Sequence, residues 1–307
     1  MNAQRQFLRR CNVVVSGDAG AGLDLSPLRI TFTIKKTDGQ TPNTAEITVY
    51  NMAADVAARI GKEFTSIMLQ AGYANNYGII FSGTIKQVRI GKENATDGRV
   101  VIVASDGDRA YNQAIVNATL TAGATQHEQA SLAIQAMSPY GVAEGTTVPD
   151  TGVKLPRGKV LYGMARDYLR HNARNLDASW SIQDGAVQFV ANTGTLPTEA
   201  VVLSSKTGLI GTPEQTDDGI KARCLLNPTI KIGGKVQINQ RDIAEAALPD
   251  TNKGEPVNKP VTIQHDGLYR VLVAEFTGDT YGQEWYVDLL CIGIDDTLPA
   301  NKQVKRG

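Results

Sequence analysis

The sequence predicts a mainly β protein in which an α+β insert separates two strand-rich parts. Apolar and polar residues alternate through much of residues 1–117, which is the period of half-buried strands. The period becomes helical between residues 119 and 177, and alternation returns over residues 204–296. The three observations together predict strands, then helices, then strands along the chain.

The best-defined segment is residues 206–240, where Ile220, Ala222 and Cys224 alternate with charged residues. Such a stretch is typical of a β-barrel wall, because one face of each strand is apolar and the other polar. It carries no acid–base pair, nucleophile or ligand set. We interpret it as scaffold, which favours a structural or assembly protein over an enzyme.

Length and composition set broad limits. The chain has 307 residues, which is enough for two domains or one long β-rich domain. Its 31 basic and 31 acidic residues balance, so no global attraction to nucleic acid or to a membrane follows. No apolar stretch approaches the roughly 20 residues of a membrane helix, and residues 13–15 are too short for a signal-peptide core. We expect a soluble chain, made in a cytosol, without membrane insertion.

The first part of the chain reads as strands around one short helix. Residues 28–34 and 45–49 alternate strictly, and we expect two strands around the Gly-rich residues 17–22. The period then changes, which predicts a helix over residues 53–60 that ends at Gly61. Further strands are predicted by the patterns that follow: residues 66–71, 78–90 and 100–104, the last two forming a hairpin.

In the middle part, residues 118–203, the sequence pattern predicts two helices and a hairpin. Thr125 and Glu128 have the spacing of a capping box at the start of the first helix. Apolar residues from Leu161 to Leu176 predict a second helix of roughly four turns. Asp184-Gly185 lies between two alternating runs, which is a strong signal for a two-residue hairpin turn.

The last part returns to strands. We expect a short strand over residues 229–232, a Gly233-Gly234 turn and a return strand over residues 235–238. A polar loop is predicted for residues 242–260, followed by paired strands over residues 269–276 and 285–292. A polar tail begins at Thr297.

An internal similarity links the two strand-rich parts. Residues 77–108 and 266–296 both run from glycine through strand, polar loop and strand to a group of aspartates. Hairpins of ordinary length look alike, which is one interpretation. The other is that the chain contains two related barrels.

Residues with chemical potential do not form recognisable motifs. Residues 17–22 lack the lysine of a phosphate-binding loop and precede a strand, which predicts a hairpin loop. No second ligand lies at metal-binding spacing from any histidine, and the serines lack a nucleophile elbow. We expect the neighbouring aspartates to be solvated. The residues concerned are His127, His171, His265, Ser131, Ser204, Ser205, Asp106, Asp108, Asp217, Asp218, Asp295 and Asp296. The sequence thus predicts no catalytic, cofactor-binding or metal-binding residue.

A nucleic-acid interface on a β-barrel needs basic residues with aromatic residues among them, and the chain has two groups of basic residues on predicted strands. Aromatic residues do not interleave with them, so we expect solvated strand faces. The groups are Arg29, Lys35 and Lys36, and Lys86, Arg89 and Lys92. The three cysteines, Cys11, Cys224 and Cys291, are far apart, and the last two lie in apolar strand patterns. We expect buried, reduced thiols.

Two stretches resemble phage tail baseplate hub proteins. The first is residues 30–83, with Tyr50-Asn51-Met52 before a small helix and Ala71-Gly72-Tyr73 after it. The second is residues 208–236 followed by 269–292, with its motif residues in the same order as in that family. They are Gly211, Pro213, Leu225 to Pro228, Gly278-Asp279-Thr280 and Trp285.

The resemblance implies two tail-tube-like barrels, residues 1–117 and 204–296, flanking the middle domain. It further implies a chain that is synthesised in the host cytoplasm and forms a homotrimeric, non-enzymatic ring at the virion tail tip. The ring would surround the channel through which DNA leaves without specific binding. Its implied partners are the tail tube protein, the central spike protein and other baseplate components. Two alternatives stay open: a tail-associated hydrolase, and a β-barrel module that binds sugar or nucleic acid.

Overall fold

The computed structural model describes residues 8–17, 22–146, 152–216, 218–239, 243–245 and 267–294. The first part of the chain contains seven strands and one helix among these residues. The strands are β1 Arg9–Ser16, β2 Gly22–Asp24, β3 Ile30–Thr37, β4 Thr44–Tyr50, β5 Ser66–Tyr73, β6 Asn76–Lys92 and β7 Gly98–Ser105, and helix α1 is Ala54–Glu63.

The middle part, called the insert below, runs from α2 to β12. It contains three α-helices, a 3-10 turn over Ser138–Tyr140 and five strands in its described residues. They are α2 Asp108–Gln113, β8 Ile115–Leu120, α3 Gln126–Met137, β9 Ala143–Glu144, β10 Lys159–Met164, α4 Ala165–Asn175, β11 Ala178–Gln183 and β12 Ala186–Ala191.

The last part is again made of strands. Its described strands are β13 Val201–Leu203, β14 Leu209–Thr216, β15 Gly219–Leu225, β16 Lys235–Ile238, β17 Ala244–Glu245, β18 Leu268–Asp279 and β19 Trp285–Gly293. None of the described helices has the length and apolar character to cross a membrane.

The strands of the first and last parts form one large sheet. The order along it is β17-β14-β15-β19-β18-β3-β4-β7-β6-β5-β1-β2, and β16 joins at β18 with β13 beside it. Most pairs are antiparallel, and the inward face is apolar because alternate residues of strands such as β3 and β19 are buried. The predicted mainly β fold with an α+β insert is confirmed.

The two parts of this sheet share one pairing order. The first strand set, β1, β3, β4, β5, β6 and β7, is paired as β3-β4-β7-β6-β5-β1. The second strand set, β13, β14, β15, β16, β18 and β19, is paired as β14-β15-β19-β18-β16-β13. The sets differ in their last pair, which is antiparallel for β5–β1 and parallel for β16–β13.

A β-bulge marks the same place in both sets. The β6–β7 register shifts between Ile85 and Gln87, and the β18–β19 register shifts between Val271 and Val273. The similar hairpins predicted from the sequence are therefore β6–β7 and β18–β19, which occupy equivalent positions in the two sets.

Several predicted elements need correction. The helix predicted from Leu161 is α4 and begins only at Ala165, because Lys159–Met164 forms strand β10 and pairs with β8. Helix α1 continues through Gly61 to Glu63. Residues 229–232 are not a strand; they form turns that lead into β16. The predicted loop over residues 242–260 lies mostly outside the described residues, and the tail from Thr297 lies wholly outside them.

The local turn and cap signals are confirmed. Thr125 accepts a hydrogen bond from the Glu128 N–H, and the Glu128 carboxylate accepts one from the Thr125 N–H. Asp184 and Gly185, with φ of 55° and 81°, form the two-residue turn between β11 and β12. Because both positions need positive φ, the Asp-Gly pair suits this turn.

Within the described residues, most buried apolar side chains belong to one of two separate clusters. The larger lies under the main sheet and includes Ile47, Phe276 and Trp285. The smaller lies inside the insert and includes Leu169 and Trp180. The insert therefore has a core of its own, and its contact with the main sheet is made by other side chains.

Candidate functional site

The histidines lie apart in the described structure. His127 is in the first turn of α3, and His171 is in α4, where its Nδ1 lies 2.7 Å from the Asp167 carbonyl oxygen. His265 is outside the described residues. Across the described ranges, no three His, Cys, Asp or Glu side chains are placed to share a metal ion.

The predicted loop and serines have structural roles where they are described. Ser16 pairs with Gly22 in the β1–β2 register, as expected for a hairpin, although residues 18–21 lie outside the description. The Ser204 and Thr207 hydroxyl oxygens are 3.0 Å apart within a turn.

Asp106 corrects the expectation that the neighbouring aspartates are solvated. Its side chain is fully buried, and its carboxylate accepts hydrogen bonds from the N–H groups of Asp184 at 2.6 Å and Gly185 at 3.0 Å. Burial, and then repulsion from Asp184, raises the pKa of Asp106 to about 6. Asp108 instead points to Lys86 at 2.9 Å, and Asp218 is half-buried. Asp217, Asp295 and Asp296 lie outside the described residues.

Lys36 corrects the expectation of a solvated basic face. It is buried, and its Nζ lies 2.5 Å from Oδ1 of Asp184, whose Oδ2 is 3.2 Å from Nζ of Lys231. Burial lowers the pKa of Lys36. Burial alone would raise the pKa of Asp184, but the two lysines outweigh it and lower that pKa. The sequence signal was present, because Lys36 is in phase with Ile34 on the inward face.

A second buried ion pair lies beside the first. The Arg270 guanidinium of β18 donates to the Asp38 carboxylate, and the Ser179 hydroxyl donates to the same carboxylate at 2.9 Å. Arg270 also donates to the carbonyl oxygens of Ala191 at 2.7 Å and Asn192 at 3.1 Å. Its side chain thus joins the main sheet to the end of the insert.

These three ion pairs, together with Asp106, form a cluster that we call the charged junction: Lys36, Asp38, Asp106, Asp184, Lys231 and Arg270. A cavity of about 180 Å³ adjoins it, lined by Lys36, Asp184, Lys231 and neighbouring side chains. Short-range sequence patterns do not indicate this cluster, because its members lie on separate elements and meet only in the fold.

The two strand sets meet through β3 and β18. Residues 273–279 of β18 pair antiparallel with residues 31–37 of β3. Arg29 reinforces the pair, since its guanidinium donates to Asp279 at 2.8 Å and lies 4.6 Å from the centre of the Tyr50 ring. Thr280 adds a hydrogen bond from its N–H to the Ile30 carbonyl oxygen at 3.0 Å.

The equivalent edge of the first strand set is open. Beyond its bulge, residues 87–92 of β6 pair only with β7 among the described strands, whereas the matching residues of β18 pair with both β19 and β3. The open segment is mostly exposed, including Ile90 at 62%. Sequence reasoning could not identify this edge, because it depends on which strands become neighbours.

Strand β14 presents the matching unpaired edge. It holds the position in the second strand set that β3 holds in the first, and β3 covers β18. Among the described strands, β17 covers β14 only at Glu214 and Gln215, so residues 209–213 remain unpaired on that side. Ile210 is 38% exposed there.

Comparisons with known proteins agree on the fold. The structure is similar to a 43 kDa tail protein of prophage MuSo2 from Shewanella oneidensis, with a TM-score of 0.58, 7% identity and coverage of 95% of this chain and 100% of that one. It is also similar to a tail protein from Neisseria meningitidis MC58, with a TM-score of 0.56, 10% identity and coverage of 93% and 97%.

A third similar structure is the Escherichia coli c3393 protein, a type VI secretion component described as similar to the bacteriophage T4 tail proteins gp27 and gp5. Its TM-score is 0.52 at 7% identity, covering 97% of this chain and 80% of that one. A search of curated protein sequences found no match. The model of the family described as baseplate hub gp41 matches residues 11–241, which is most of the chain. The chain therefore belongs to the baseplate hub gp41 family of phage tail proteins.

Proposed function

We propose that the chain is a non-enzymatic hub whose copies close into a threefold ring, through which DNA passes between the tail tube and the central spike. In this proposal each strand set forms one barrel, the first within residues 1–117 and the second over residues 204–296 together with β13 (Val201–Leu203), with the insert between them. The ring, the two barrels and these partners are what the resemblance of the sequence to baseplate hubs implies for this chain.

One observation supports the ring most directly: the β18 edge is covered by β3, while the equivalent β6 edge has no partner strand within the described part of the chain. A β-strand edge with free N–H and C=O groups is a template for another strand. Strand β14 is the counterpart of β3, so β14 of one copy fits the open edge of β6 in the next.

Such a contact joins two different surfaces, so it repeats head to tail. Heterologous contacts make a closed ring if the rotation closes and a filament if it does not. Three copies with two strand sets each would give six similar units around the axis. The ring would then alternate the β3–β18 joint within a chain with the β14–β6 joint between chains.

Charge supports this partner choice. Within the chain, Lys35 of β3 is the register partner of Glu275 of β18. The open β6 segment carries Arg89 and Lys92, while β14 carries Glu214 next to its unpaired residues 209–213. Opposite charges on neighbouring strands favour pairing and suppress like-with-like contact.

The test is the molecular mass of the purified chain over a range of concentrations, by light scattering. We expect a threefold mass at high concentration, and we expect Ile90→Asp to shift the chain towards monomer by placing a charge in the joint. Tyr162→Asp is the matched control, because Tyr162 is 74% exposed on the separate β8–β10 ribbon. A chain that stays monomeric throughout, or an Ile90→Asp variant that still forms rings, would contradict the proposal.

A further inference from the structure

Several polar side chains connect the insert to the main sheet. Gln183 Nε2 donates to the Thr37 carbonyl oxygen at 2.9 Å, and Asn43 Nδ2 donates to the Ile182 carbonyl oxygen at 3.0 Å. Gln188 Nε2 donates to the Ile232 carbonyl oxygen at 2.9 Å. Since each side has its own apolar cluster, neither needs the other to bury its core. Polar contacts of this kind are typical of interfaces between domains that move.

The β11–β12 turn is the centre of this contact. The N–H groups of Asp184 and Gly185 reach the Asp106 carboxylate at the end of β7, while the Asp184 carboxylate reaches Lys36 of β3 and Lys231 of the segment after β15. One turn thus connects to three separate parts of the main sheet. Lys86 of β6 and Asp108 of α2 pair with each other at 2.9 Å.

We propose that the β11–β12 turn is a releasable latch, which holds the insert on the main sheet and detaches while both parts stay folded. The proposal concerns motion within one chain and does not depend on ring formation.

Two features of the charged junction reduce the free energy that docking of the insert gains. Burying charges carries a desolvation penalty that their attraction offsets only when every polar atom is paired. Here Asp38 Oδ1 and Arg270 Nε have no hydrogen-bond partner among the described residues. The adjoining cavity of about 180 Å³ also removes packing contacts. Both features bring the docked and released states closer in free energy.

The latch has a defined pH dependence. In the docked state the pKa of Asp106 is raised from 3.8 to about 6, whereas in the released state it is expected near its ordinary value. Docking therefore binds a proton between these values, so it is strongest near the acid end of this window and weakens as pH rises to about 6. Asp184 acts oppositely, but its lowered pKa confines its effect to more acid pH.

Residue-resolved native-state hydrogen exchange on the full chain tests the latch, with chemical exchange rates corrected at each pH. We expect the amides of Asp184 and Gly185 to exchange by a local opening that leaves β3, β4 and β7 protected. The opening constant should rise by about ten- to a hundredfold between pH 4.5 and 7, since the two pKa values differ by about two units. It should be independent of pH in Asp106→Asn.

A second variant separates the latch from general loss of stability. Lys36→Met should increase the local opening by at least about tenfold without the same change in β4 amides, because it removes one of the two lysines that hold Asp184. Arg59→Met is the matched control, since Arg59 forms an exposed pair with Glu63 at 2.9 Å on α1. If the variants do not fold, the wild-type pH series is sufficient. Exchange of the turn amides only together with the main-sheet amides would overturn the proposal.

Discussion

Arg270 donates a hydrogen bond to Asp38 in a part of the structure where both side chains are almost completely buried. Asp38 follows β3 of the first strand set, and Arg270 belongs to β18 of the second. The same guanidinium binds carbonyl oxygens at the end of the insert. One arginine therefore connects all three parts of the chain.

Replacing Arg270 with methionine should lower the free energy of unfolding by about 3–5 kcal/mol, because Asp38 would remain buried without its partner. Urea unfolding followed by fluorescence would measure the change. Arg223→Met is the matched control: Arg223 pairs with Asp288 at 2.6 Å, but both side chains are at least 40% exposed. Its cost should stay within about 1 kcal/mol. Equal losses for the two variants would contradict the prediction.

Gly72 should not tolerate a side chain. It lies in β5 with φ of 151°, and a Cβ atom would come within 2.1 Å of the Asn76 carbonyl oxygen across the β5–β6 hairpin. Since the obstacle is backbone, we expect Gly72→Ala to cost about 3 kcal/mol or more in unfolding free energy.

Gly123→Ala provides the comparison for Gly72. Gly123 also has positive φ, at 87°, but none of the described atoms lies within 4 Å of the added Cβ. The Gly123→Ala substitution should lower the free energy of unfolding by only about 1–2 kcal/mol, through backbone strain. Thermal melts of both variants would show the difference, and a Gly72→Ala variant as stable as Gly123→Ala would disprove the clash.

Sequence reasoning succeeded where structure is set by neighbouring residues. The alternation in β3, the Thr125–Glu128 cap and the Asp184-Gly185 turn all follow from short-range patterns. It failed at Lys159–Met164, whose apolar spacing suits a helix but which pairs with Ile115–Leu120, far away in the sequence. Distant pairing outweighs local periodicity there.

The charged junction could not be predicted from the sequence for a similar reason. Lys36 and Asp106 look like ordinary strand-end charges until the fold brings Asp184 between them. The open edge of β6 was also beyond sequence reasoning, since an edge is defined by the absence of a neighbour. Only the in-phase position of Lys36 on β3 gave an indication of burial.

The capping box of α3 should contribute measurably to the stability of the insert. Thr125→Ala removes the acceptor for the Glu128 N–H, which lies 3.3 Å from the threonine hydroxyl oxygen. We expect a loss of about 1 kcal/mol. Thr125→Ser keeps the acceptor and should retain most of the stability, as measured by chemical unfolding. A serine variant as weak as the alanine variant would assign the effect to the lost methyl group instead.

The three thiols should be nearly unreactive in the folded chain. Burial raises the pKa of Cys11 and of Cys224 to about 12, from a usual 9.0, and also raises that of Cys291. A shift of three units reduces the thiolate fraction at pH 8 by about a thousandfold, and the thiolate is the reacting species. A chromogenic disulfide reagent should therefore label the native chain at least about a hundredfold more slowly than the chain in denaturant, where all three thiols should react.

Cys11, which is only half-buried, should be the first to react. Cys11→Ser should therefore remove the fastest native phase, and rapid labelling of Cys291 in that variant would show that the β15–β19 pair opens in the folded chain.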